Sequence, residues 1–160
     1  MAYQKLQANT AINVAISNNY DIPSPASEVV SGAVDSFSVG TTVEDTTVDF
    51  IAKGVKEGDI VYNTITATAP TASVVRTVAA NVLTLADSIM LASGNTYRVF
   101  RPQENRGCVL YVGVGGDLKV LTAGNDIVQL TGVLSGSYVP IQVKRVFDVS
   151  GTVTDVVGLW

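Results

Sequence analysis

The sequence predicts an all-β protein, and three observations predict it. Its 160 residues include 27 Val and 16 Thr, β-branched types that suit a pleated, half-buried surface and lose rotamer freedom in a helix. Short apolar segments alternate with Gly, Asn, Asp and Pro clusters at close intervals, the pattern of a β-sandwich or barrel. A helical period is nearly absent. Only "PASEVVSGAV", residues 25–34, with Ser27 as an N-cap, offers a helical turn or two.

Residues 1–25 read as an extended arm. The stretch is polar and Asn-rich and ends in "DIPSP", where Pro23 and Pro25 impose extended geometry on their neighbours. Tyr3, Leu6, Ile12 and Val14 are its candidates for contact with another subunit.

Residues from about 34 to 101 read as a small β module with strands in "TTVDFIA", "GDIVYNTITATA", "ASVVRTV", "NVLTLA" and "NTYRVFR". Glu57-Gly58-Asp59 supplies a turn before a strand that carries Ile60 and Tyr62 on one face. A second reversal falls near Ala80-Asn81. About five short strands in some 70 residues suit a small barrel better than an open sheet.

Residues 105–160 form the last region, with strands predicted over 108–113, 117–122, 127–131, 139–147 and 153–159. Turns fall at Gly124-Asn125-Asp126 and Ser135-Gly136-Ser137. In "VPIQVKRVF", Ile141, Val143 and Phe147 share one face with Arg145. That cation on an apolar face means either a bulge at Lys144-Arg145 that resets the alternation, the favoured reading, or a buried partner charge. Trp160 either seals the core or anchors a subunit contact.

The run "CVLYVGVGGDLKVLT" leads from apolar residues into Gly113, Gly115 and Gly116, as a strand leads into a phosphate loop. A dinucleotide fingerprint would need glycine where Leu118 stands and a helix after it. "DLKVLT" alternates as a strand instead, and the chain has no Gly-Lys-Ser/Thr. The segment is expected to be a hairpin whose tip, Val114 to Gly116, uses glycine for positive φ.

Composition narrows the function. With no histidine, the chain lacks the commonest general base, the commonest metal ligand and every Ser-His or Cys-His pair. The single Cys108, inside an apolar run, is expected to be a buried, inert thiol. Asp45, Asp49, Glu57 and Asp59 lack EF-hand spacing and read as a solvated acidic edge. No cofactor or metal is expected.

The net charge of −4 opposes nucleic-acid binding, and "AINVAI" is too short for a signal-peptide core, so neither nucleic acid nor membrane is an expected partner. Residues 1–97 hold four Lys/Arg against nine Asp/Glu, and residues 98–160 hold six against five. Only 15% of residues are charged, against about 25% in an ordinary soluble domain, which points to a surface partly covered by neighbours.

The last 55 residues then show a family resemblance. Leu110, Tyr111, Val112, Gly113, Gly115, Gly116 and Asp117 fit an "LYVGxGGDL" motif, "VLSGSYVPIQVKRV" fits the following strand, and "GTVTDVVGLW" fits the end. These are similar to tailed-phage and gene-transfer-agent head spike base proteins, with Val153 and Gly158 as small departures. "AISNNYDIPSP" resembles an early segment of the same family.

The resemblance implies a compact β-sandwich or barrel-like domain formed by 105–160, preceded by the extended N-terminal arm over 1–25. Residues 26–104 then become an inserted, small β-barrel-like module. It implies a virion protein, assembled in the host cytoplasm, that binds the major capsid protein on the head surface as a decoration (cement) protein or as the base of a spike or fibre. Self-association as a trimer or pentamer is implied too, with Arg145 and Trp160 joining Tyr3, Leu6, Ile12 and Val14 as candidate subunit or capsid contacts. The alternatives are a tail, baseplate or fibre adaptor, and a small carbohydrate-binding or hydrolytic β module.

Overall fold

The computed structural model describes residues 8–35, 40–64, 70–89, 92–103 and 107–160. Tyr3 and Leu6 therefore lie outside the described residues. The chain enters as β1 (Ala11–Asn13) and then builds β2 (Glu28–Ala33), β3 (Thr42–Glu44), β4 (Ile60–Asn63), β5 (Thr71–Val78), β6 (Val82–Leu85) and β7 (Thr96–Phe100). It continues as β8 (Cys108–Val114), β9 (Gly116–Thr122), β10 (Ile127–Val133), β11 (Ser137–Val146) and β12 (Thr154–Leu159). The fold is all-β, with two antiparallel six-stranded sheets: β1-β12-β8-β11-β9-β10 and β2-β7-β4-β5-β6-β3.

The pleat divides the apolar residues between two cores. β4 is buried at all four positions: Ile60 and Tyr62 face the core shared with the first sheet, and Val61 faces the core inside the second. β7 does the same, sending Phe100 one way and Tyr97 and Val99 the other. The shared core adds Leu110, Val112, Leu118, Val120 and Val143, each essentially inaccessible. A strand buried on both faces must be apolar at successive positions, as "IVY" in β4 is.

The second sheet curls, so that the amide of Asp35, just past β2, donates to the Glu44 carbonyl in β3 at 3.1 Å. Its core holds Phe50 against Tyr97, with ring centroids 5.9 Å apart. Two buried carboxylates stand near its ends. Asp45 accepts from Tyr97 Oη at 2.7 Å and Thr47 Oγ1 at 2.6 Å. Asp59 pairs with the Arg101 guanidinium at 2.9 and 3.0 Å. Since both are almost fully buried, the expectation of a solvated acidic edge is corrected at these two positions.

Four other expectations change. Residues 25–34 do not start a helix: Ser24, not Ser27, caps a single 3-10 turn, Pro25–Ser27, and the β-branched pair Val29-Val30 continues as strand. "TTVDFIA" is a run of turns rather than a strand, since Asp45 and Asp49 carboxylates bind the amides of Thr47 and Ala52 and compete with ladder bonds.

The N-terminal segment is not a free arm from residue 8 onward. β1 pairs with β12, and Ile12 and Val14 are core residues at 5% and 3% exposure, so the shared core already uses these two candidate contacts. Ile22 joins the same core, and the Tyr20 hydroxyl donates to the Asp87 carboxylate of the second sheet.

The expected hairpin at Gly115 is the fourth correction. β8 and β9 are not neighbours, because β11 lies between them and pairs with both. In β11 the register on β9 shifts between Val143 and Arg145, and Val143 and Val146, three apart, are both buried. The bulge is there. So is a partner charge, since Arg145 Nη2 meets Asp21 Oδ1 at 2.7 Å.

Candidate functional site

The glycine segment is a bend. β8 is central, with β12 on one side and β11 on the other. Only Gly115 separates the end of β8 from the start of β9, and the segment entering β12 runs beside both, with Thr152 N bonded to the Asp117 carbonyl and Thr154 paired with Val114. The turn between β10 and β11 presses on the bend, and Gly115 N donates to Ser135 Oγ at 2.8 Å.

A Cβ at Gly115 would sit 2.6 Å from Ser135 N and 2.9 Å from the Leu134 carbonyl carbon. One at Gly116 would stand 3.2 Å from Thr152 Cβ, with the hydroxyl oxygen closer still. Among the motif's glycines only Gly116 has a positive φ, and at 159° it is nearly extended. Close approach, rather than the left-handed φ of a hairpin tip, explains glycine here.

Asp117 ties the bend together. Its amide donates to Thr152 Oγ1 at 2.9 Å, its carbonyl accepts from Thr152 N at 2.8 Å, and its carboxylate accepts from Gly132 N at 2.9 Å. Leu110 and Val112 point into the shared core, whereas Tyr111 lies on the opposite face. Its ring centroid is 5.4 Å from that of Tyr138, its cross-strand partner.

Three large apolar side chains of β8, the β10–β11 turn and β11 stand in solvent: Val114 at 46%, Leu134 at 75% and Tyr138 at 64% exposure. Leu134 and Tyr138 were not among the sequence candidates. Alternation in β11 carried the signal for Tyr138, which shares a face with exposed Pro140 and Gln142 and opposes buried Val139. Leu134 sits between a strand and a glycine turn, and nothing in its neighbours marks it.

The other candidates lie elsewhere. Arg145 is engaged within the chain, by Asp21 and by the Asn18 carbonyl at 3.0 Å. Trp160 packs on the shared core with its indole N–H buried and unbonded. Burial pushes the Cys108 thiol up to about 12, and the thiol donates to the Val143 carbonyl at 3.4 Å.

Two clefts open where the sheets meet. One of about 250 Å³ lies among Asn13, Tyr62, Thr64 and Arg98, and Arg98 is held there by Glu28 at 2.8 Å. The other, of about 460 Å³, runs along residues 147–156 past Val14 and Ile16. Asp155 borders it in a left-handed conformation, φ 54°, with Oδ1 buried and unbonded. Among the described residues no group of three acidic or thiol side chains could hold a metal ion.

The chain matches no family model, no curated protein and no solved structure.

Proposed function

We propose that this chain is a structural subunit of a bacteriophage virion that binds the assembled capsid, as a head decoration protein or as the base of a head spike or fibre. The carrying observation is the set of exposed apolar side chains Leu134, Tyr138 and Val114, borne on strands and a turn fixed by the Gly115–Asp117 bend. Clustered apolar side chains on a rigid support are what a docking surface needs, because little side-chain entropy is lost on contact. That bend is built from the motif that resembles head spike base proteins.

The function is multivalent. Each copy contributes a modest interface with the major capsid protein, and self-association into a closed ring, a trimer or pentamer, multiplies it. A spike or fibre protein would dock on the ring.

Co-sedimentation with capsids tests this. Leu134→Glu with Tyr138→Ser is expected to lower occupancy at least tenfold while leaving the melting temperature unchanged. Wild-type occupancy in that variant would place the capsid contact elsewhere, and label on the tail of intact particles would favour an adaptor role.

A further inference from the structure

The larger cleft has a chemistry of its own. Its floor is apolar, with Val14, Ile16, Val153 and Phe147, and its border carries two carboxylates, Asp148 and Asp155. None of the described residues that line it is basic. Lys119 and Arg145 stand by the Phe147 ring at 5.7 and 6.0 Å, and Arg145 is already paired with Asp21. Asp155 Oδ1 has no donor. The cleft therefore fits a segment with apolar side chains and one cation, and its volume of about 460 Å³ is that of a binding pocket.

The chain contains such a segment. Residues 1–7 read "MAYQKLQ", with Lys5 between Tyr3 and Leu6. They join the fold at the wrong end to reach this cleft in their own copy: Asn9 N is bonded to the Trp160 carbonyl, whereas the cleft begins at Val14. Residue 8 and Val14 are six positions apart, at most about 20 Å at ~3.3 Å per residue. Folded straight back along β1, Leu6 would lie level with Asn9 and Tyr3 with Ile12, short of the cleft.

We infer that the cleft receives residues 1–7 of a second copy, with Tyr3 and Leu6 on the apolar floor and Lys5 against Asp148 and Asp155. The contact is heterologous, segment to cleft, and it builds a ring when its rotation closes. This rests on the proposed self-association but names the surfaces that produce it.

The test uses the full chain. Tyr3→Cys with Thr154→Cys should give disulfide-linked oligomers on non-reducing gels, and light scattering should show Lys5→Glu to associate about tenfold more weakly. Combining Lys5→Glu with Asp148→Lys should restore association. Cross-links confined to single chains, or association unchanged by Lys5→Glu, would overturn the inference. A monomeric protein that still binds capsids would also overturn it, while leaving the proposed function standing.

Discussion

Arg145 holds Asp21 across 124 residues of sequence, with Arg145 Nε donating to Asp21 Oδ1 at 2.7 Å. The bulge that turns Arg145 out of the core also aims it at the N-terminal segment, where it reaches the Asn18 carbonyl as well. One irregularity in β11 thus helps clamp residues 14–22 onto the first sheet.

Removing that clamp has a measurable cost. Arg145→Met should destabilise the protein by about 1–2 kcal/mol, less than a buried pair would, since the Asp21 side chain is 43% exposed. Urea unfolding measures it, and faster proteolysis near residues 18–21 should accompany the loss.

The bend at Gly115 makes a second prediction. Gly115→Ala places a methyl group against backbone that cannot give way, at a cost of about 2 kcal/mol or more. Gly124→Ala is the control, since its nearest neighbours are side-chain oxygens at 3.4 and 3.6 Å, and it should change stability by less than about 0.5 kcal/mol. Equal melting temperatures for the two variants would remove the close-approach account.

Stability should fall in alkali. Burial raises Cys108 from 9.0 to about 12, and burial also raises Tyr62 and Tyr97 from 10.0. For each group the unfolded chain releases its proton first, so the stabilisation is complete below the unfolded value and is lost as pH rises toward the folded one. The loss begins near pH 9 with the thiol, at about 1.4 kcal/mol per pH unit for one group, and steepens above pH 10. Urea midpoints at pH 8, 9.5 and 11 should show it, and Cys108→Ser should remove the first part.

Tyr97→Phe isolates the buried carboxylate. It leaves Asp45 Oδ2 without its hydroxyl donor in a fully buried site, a loss of about 1–3 kcal/mol. Tyr111→Phe, on the half-exposed outer face, should be nearly neutral by the same unfolding assay.

Strands were legible in the sequence because β-branched residues and turn formers alternate, so β8 to β12 fall close to their expected positions. The irregularity at Lys144-Arg145 was legible too, as a cation on an apolar face. Strand order was not. Alternation says which face a residue uses and nothing about which strand lies beside it, so a glycine bend that carries β8 directly into β9 looked like a hairpin tip. β1 was missed because three residues in a polar, Asn-rich stretch carry too little pattern, although Ile12 and Val14 are two apart as a strand requires. Of the surface cluster, Tyr138 could be read from its place opposite Val139, whereas Leu134 depends on how the turn is pinned by Gly115 and Ser135.

Cryo-electron microscopy of particles carrying this protein tests the central claim most directly. The account predicts closed rings of it on the outside of the head, with the Leu134–Tyr138 end of the first sheet against the shell. Density on the tail, or rings that turn this end to solvent with no contact, would contradict it.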